Sequence, residues 1–454
     1  MTVIDTGSRE VGDLDESSAA EHIHGICLKT GPPRRVGVEL EWLVRDVRDP
    51  ALPVAAGRTA AAVAAFSAAR AGQRNGRDTG TGPVTVPGPG DNRDKNGESR
   101  VRLELPTSSR PGVLPSGAPL TCEPGGQLEI SSLPADSLAE LVRVTSADLS
   151  AVRAALAARG LELAGFGLDP LRPPRRVLDL PRYAAMEAFF DAGGPWGRQM
   201  MCGTASVQVC LDAGDESDGP GGYRWRWRLV HALGPVLVAA FANSPLRDGQ
   251  PTGWVSSRQQ VWAQVDPGRT RPPRLDADPR DAWAAYALDA RLMCARDDGS
   301  GDWTVPPGLT LRDWVRGRWQ HRPTAGDLDY HLSTLFPPVR PRGHFELRMI
   351  DAQPGDNGWI VPLAVCWALL SDAQAGEDAL AAVTPARGRW LRAARLGPAD
   401  PATGRASRDC FAAARAAMDR HDVPAAITAA VDAFIDRYVS HDRCPADDQL
   451  EEAP

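Results

Sequence analysis

Four short stretches carry polar and acidic side chains where a buried strand ordinarily carries apolar ones. They are 36–44 (VGVELEWLV), 126–131 (GQLEIS), 205–212 (ASVQVCLD) and 344–351 (HFELRMID). Each alternates. Glu39 and Glu41 fall on one face of an extended segment, and Val38, Leu40 and Trp42 on the other. Gln127 and Glu129 oppose Leu128 and Ile130. Ser206, Gln208, Cys210 and Asp212 oppose Val207, Val209 and Leu211. His344, Glu346 and Arg348 oppose Phe345, Leu347 and Met349. A period of two makes one face packable and leaves the other for chemistry. A face rich in glutamate serves solvent or a cation, and its recurrence in four distant segments favours the cation.

Side chains two residues apart on a strand are roughly 7 Å apart. Glu39 and Glu41 therefore cannot both clasp one small ion unaided. They bind neighbouring ions, or combine with glutamates from adjacent strands about 4.8 Å away. Magnesium takes hard oxygen ligands at about 2.0–2.1 Å, and Glu39, Glu41, Glu129 and Glu346 supply oxygens of that kind. Gln208 adds a neutral oxygen or a hydrogen bond. Without metal, crowded carboxylates raise one another's proton affinity. Arg348 shares the face of Glu346. A metal-binding carboxylate beside an arginine suits a triphosphate, the metal bridging phosphates and the guanidinium meeting the transferred phosphoryl group. Taken singly, each of these pairs reads equally well as a solvated strand face or an ordinary ion pair.

Other polar residues have the same two readings. Arg182 and Tyr183 suit a clamp on a small carboxylate or simple packing at a helix start. Asn243, Ser244 and Arg258 suit polar contacts to a ligand or to the fold. Cys210 lies on the polar face, yet no histidine is placed beside it by the sequence, so a thiolate nucleophile is not expected. Neither a GxxxxGK[ST] loop nor a GxGxxG turn in a βαβ unit is present. An ATP site would have to rest on metal and sheet residues.

The elements that must hold these residues follow from the rest of the chain. Of 454 residues, 43% are hydrophobic and 24% charged, a globular composition. The net charge of -7 and the lack of a concentrated basic face argue against a nucleic-acid partner. The first 25 residues are acidic and polar, and the longest apolar runs are too short to span a bilayer. No membrane partner and a cytoplasmic location are expected. Eight dispersed cysteines without a CxxC pair read as free thiols. The division expected is a disordered tail over 1–20, one catalytic domain over 21–440 with a flexible insertion at 72–100, and an acidic tail over 441–454 that frays after Cys444. Helical patterns fall at 18–29, 58–71, 136–159, 181–192, 223–242, 256–263, 282–295 and most of 359–439. Further strands are expected at 101–105 and 161–167. This order is neither βαβαβ nor all-α, and an α+β fold on a largely antiparallel sheet fits it.

VGVELEWLV, LTCEPGGQLEISS, ASVQVCLD, FANSPL and YHLSTLFPPVRPRGHFELRMIDAQP together resemble the plant-type glutamate–cysteine ligase family. PRYAAMEAFF and GRQMMCGTASVQVCLDAG bring the resemblance nearest to its actinobacterial members, which open ergothioneine biosynthesis. It runs from about residue 20 to about 435. It implies a glutamine synthetase-like catalytic fold with a curved antiparallel sheet, with Mg2+ as cofactor and ATP as co-substrate. It also implies ligation of the L-glutamate γ-carboxyl to the L-cysteine amine through a γ-glutamyl phosphate. The family's metal-binding glutamates fall on Glu39, Glu41, Glu129 and Glu346, and its phosphate-facing arginine on Arg348. Its substrate region falls on Arg182, Tyr183 and Gln208, with Arg258 a further polar contact. Cys210 stands where the family strand usually carries asparagine. A ligase for another amine, a metal-dependent hydrolase and a non-catalytic homologue are the competing readings.

Overall fold

The computed structural model describes residues 14–73, 112–296, 301–319 and 322–453. The alternating segments form the middle of one antiparallel sheet. Its strands are β1 (Val36–Asp46), β2 (Gly112–Val113), β3 (Pro119–Cys122), β4 (Leu128–Ser131), β5 (Leu161–Ala164) and β6 (Ser206–Leu211). After a small separate hairpin of β7 (Leu246–Arg247) and β8 (Gln250–Pro251) come β9 (Val339–Pro341) and β10 (Phe345–Asp351). The order across the sheet is β2-β3-β4-β1-β6-β10-β9, with β5 paired to the far end of β1. The architecture is α+β, as expected from the sequence.

The apolar faces of the central strands explain the packing. Val38, Leu40, Trp42, Val207, Val209, Leu211, Phe345 and Leu347 are buried in one core with the Tyr223–Ala240 and Ile360–Ser371 helices. The Phe345 and Trp227 rings lie 5.6 Å apart between their centroids. Burying a Val, Leu or Phe side chain of this kind contributes about 1.5–3 kcal/mol. The helices cover this face, which leaves the opposite face of the sheet for polar side chains.

Register puts those polar side chains side by side. Directly opposed residues of an antiparallel pair share a face. Glu41 opposes Glu129, Glu39 opposes Gln208, and Cys210 opposes Glu346. β10 departs from strict alternation. Leu347 opposes Val209, but Ile350 opposes Val207, so β10 uses three residues where β6 uses two. This bulge reverses the phase. Continued alternation would have set Ile350 on the polar face. Instead Ile350 stays in the core, and Asp351 joins Ser206.

Several boundaries differ from expectation. The helix at the N-terminal side starts at Glu16, capped by the Asp15 side chain, and runs to Cys27. β5 ends at Ala164 because Gly165 and Gly167 lie directly against the Gln353 carbonyl and the Asp351 side chain. The helix expected at 282–295 is Pro279–Asp289, with Asp278 as cap and Pro279 in the first turn. The acidic segment expected to fray after Cys444 forms a helix, Pro445–Glu452, anchored by buried Cys444 and Ala446 against Ala242. Most of the 72–100 insertion and the strand expected at 101–105 lie outside the described residues. All eight cysteines are free thiols. No helix among the described residues is long and apolar enough to cross a membrane.

Candidate active site

The polar face is divided by charge. On the β1–β4 side stand Glu39, Glu41 and Glu129, joined by Glu123 from the turn between β3 and β4. That turn is compact. Gly126 has φ +91, and a Cβ on Gly125 would fall 2.2 Å from the Cys202 carbonyl oxygen. Gln127 fixes the turn by donating to the Thr204 carbonyl at 2.9 Å and accepting from the Gly125 amide at 3.0 Å. On the β9–β10 side stand Arg340, Arg342 and Arg348, all meeting Glu346.

The carboxylates differ in their partners. Glu41 accepts from Ser206 Oγ at 2.8 Å and from Gln208 Nε2 at 3.0 Å. Gln208 in turn accepts from Arg348 through Oε1, and so bridges the acidic and basic halves. Among the described residues, Glu129 accepts only from hydroxyls, those of Thr121 and Ser131, each at 3.1 Å. The nearest guanidinium to Glu39, that of Arg342, stands 4.0 Å away. Glu346 accepts from Arg340 Nη2 at 2.7 Å, from Arg342 Nη1 at 3.4 Å, and closely from Arg348.

Protonation follows these environments. Burial, reinforced by Glu346 and Glu129, pushes Glu39 up to about 7. Burial and neighbouring carboxylates also raise Glu129 and Glu123. Burial raises Glu41, against the pull of Arg258 and Arg348. Burial would raise Glu346 too, but its three arginines outweigh it and hold the carboxyl well below the usual range. Burial pushes the Cys210 thiol up, and Glu39 and Glu346 push it further, so it remains a thiol and supplies no nucleophile.

Glu39, Glu41, Glu129, Glu346, Gln208 and Arg348 thus share one face. Among the described residues, however, no three His, Cys, Asp or Glu side chains converge closely enough to form a metal shell as they stand. Arginines hold Glu346, and Ser206 and Gln208 hold Glu41. The donor set still fits a hard divalent cation. Glu39, Glu123 and Glu129 are carboxylates whose proton affinity is raised by burial and crowding, and among the described residues no guanidinium is hydrogen-bonded to any of them.

Arg182 is not free to act as a clamp. Its guanidinium donates to Ser333 Oγ at 3.0 Å and to the Ser333 carbonyl at 3.1 Å, and lies 5.0 Å over the Tyr330 ring. Tyr183 is buried, and its phenol is raised first by burial and then by Glu123, which places it beside the acidic half. Arg258 is buried against the basic half and donates to the Arg348 carbonyl at 2.8 Å.

Glu123, Arg340, Arg342 and Asp351 were missed from the sequence. Glu123 lies in a turn, where alternation says nothing. Arg340 becomes visible only through the β9–β10 pairing, which sets it opposite Glu346. Gly343, with φ +80 just before β10, was the local sign that VRPRGHFELR turns back on itself.

Residues 35–452 match the glutamate-cysteine ligase family 2 (GCS2). The chain belongs to glutamate–cysteine ligase family 2. It is 43% identical over 342 residues to the glutamate–cysteine ligase EgtA of Mycolicibacterium smegmatis, covering 74% of this chain and 78% of that protein. The EgtA protein of Mycobacterium tuberculosis is 37% identical over 448 residues, 97% of this chain and 90% of the relative. A chloroplastic glutamate–cysteine ligase of Brassica juncea is 31% identical over 61% of this chain and 53% of its own length. In fold, this family member resembles the crystal structure of a Francisella tularensis glutamate–cysteine ligase in complex with AMP. The TM-score is 0.50 at 11% identity, covering 94% of this chain and 86% of that one.

Proposed function

We propose that the protein joins the γ-carboxyl of L-glutamate to the amine of L-cysteine at the cost of ATP, giving γ-glutamylcysteine, ADP and phosphate. The observation that carries this reading is the divided polar face, glutamates on β1 and β4 against arginines on β9 and β10, in a chain of this ligase family. A free carboxylate is a poor acyl donor. Its attack on the γ-phosphorus of ATP releases ADP and leaves a γ-glutamyl phosphate. The cysteine amine then attacks that carbonyl, phosphate departs, and the nitrogen loses its proton. No protein nucleophile is needed, in accord with the protonated Cys210 thiol.

Glu39 and Glu129, with Glu123 beside them, would hold magnesium, and Glu41 and Glu346 would join them on leaving Gln208 and the arginines that now hold them. When bound, magnesium supplies neutralisation of phosphate charge. Arg348 presents N–H donors to the transferred phosphoryl group. Gln208 holds Arg348 and Glu41 in one register. Tyr183 and Arg258 border the substrate space, and Arg182 supports it from behind through Ser333. We place the enzyme in the cytoplasm and its product at the start of ergothioneine biosynthesis.

The test is magnesium-dependent ADP release with L-glutamate, with and without L-cysteine, together with detection of γ-glutamylcysteine. Cysteine-dependent release with product supports the reading. Equal or better turnover with another amine overturns the cysteine assignment. Turnover without ATP overturns the ligase class.

A further inference from the structure

Asp351 is buried at 2% exposure on the polar face, where only the β10 bulge could put it. Both carboxylate oxygens are already in use. Oδ2 accepts from the Asn243 amide at 2.9 Å and from Ser244 Oγ at 2.7 Å, and Oδ1 accepts from Ser256 Oγ at 3.0 Å. Each hydroxyl hydrogen is thereby committed to Asp351, which leaves the oxygen lone pairs for other donors. Ser244 Oγ accepts from the Arg258 amide at 3.1 Å, and Ser256 Oγ accepts from the Gln259 amide at 3.3 Å. One carboxylate thus orients two hydroxyls, which together hold the first turn of the Ser257–Gln264 helix.

That first turn carries Arg258, also 2% exposed. Its Nη2 is fixed on the Arg348 carbonyl, and its ring-facing side lies 5.5 Å from the centre of Trp262. Nη1 is 3.7 Å from Asp351 Oδ1, beyond a hydrogen bond. Nε and Nη1 are buried and, among the described residues, have no hydrogen-bond partner. Buried donors without partners are costly, and Nε–H and Nη1–H, which lie on different edges of the guanidinium, each call for an acceptor such as a carboxylate oxygen.

We infer that Asp351 is a positioning residue for substrate binding. Through Ser244 and Ser256 it sets the Arg258 guanidinium so that its unpartnered N–H groups meet a carboxylate of the amino-acid substrate. The inference rests on the ligase reading, which names that substrate as L-glutamate.

The test is a double-mutant cycle on the full chain, with KM and kcat measured by ADP release. D351N and R258K should each raise the KM for L-glutamate about tenfold, equivalent to one hydrogen-bonded contact, and leave the KM for ATP within about twofold. In the R258K background, D351N should add less than about twofold, because both changes remove the same contact. S244A and S256A keep the comparison alive if D351N folds poorly: each should raise the glutamate KM and leave that for ATP. Multiplicative effects of D351N and R258K, or an unchanged glutamate KM in D351N and S256A, overturn the inference. A wild-type protein without glutamate-dependent ADP release instead overturns the ligase reading on which it rests.

Discussion

Glu39 and Glu346 show how two carboxylates on one face are driven apart. Burial and its acidic neighbours push Glu39 up to about 7 from an ordinary 4.5. The folded state therefore binds that proton more tightly than the unfolded chain. The stability it contributes is complete below pH 4.5 and is lost as pH rises through about 7. Glu346 has the opposite sign: its arginine pairing stabilises the protein above the ordinary 4.5 and loses that effect as pH falls. In thermal melts without magnesium, the wild type should be less stable at about pH 8 than at about pH 6, and E39Q should narrow the difference. An equal gap in E39Q would refute the proton assignment. Magnesium should protect more strongly at the higher pH, since it competes with that proton. E41Q and E346Q should each cut magnesium-dependent ADP release by at least ~100-fold. Near-normal rates in folded variants would remove both from the machinery.

At the scale of elements, the turn between β3 and β4 and the bulge in β10 determine which residues reach the site. The turn presses Gly125 onto the Cys202 carbonyl. G125A has to push that backbone away, which should cost roughly 2–4 kcal/mol in denaturant unfolding and reduce activity with it. A stability within about 0.5 kcal/mol of wild type would show that the turn yields freely. Alternation alone located Glu39, Glu41, Glu129, Glu346 and Arg348, because a strand with one buried face has to alternate. It missed Glu123 because a turn has no period. It missed Asp351 because a one-residue bulge reverses the phase and has no compositional mark in HFELRMID.

For the whole molecule, the C-terminal helix links the end of the chain to the site. The Ala446 amide donates to the Ala242 carbonyl at 3.0 Å. Gln449 Nε2 donates to the Asn243 side-chain oxygen at 2.5 Å, and the Asn243 amide donates to Asp351. Deleting 445–454 should therefore destabilise the protein by roughly 1–3 kcal/mol and weaken glutamate binding. A truncated chain with unchanged melting and KM would return this segment to the status of a dispensable tail. The acidic composition of the segment pointed to solvent. Its few apolar residues decided otherwise, because Cys444 and Ala446 are fully buried against Ala242.

The sequence by itself determined the alternating strands, the α+β class, the absence of a phosphate loop and the family. All of these rest on local pattern or on motifs readable along the chain. Only the tertiary structure decided which carboxylates stand free and which are paired. Glu346 and Glu39 look alike in sequence, yet pairing of β9 with β10 sets Arg340 opposite Glu346, while Glu39 faces Gln208. Burial and cross-strand neighbours set a carboxylate's charge, and both arise from contacts between residues far apart in the chain.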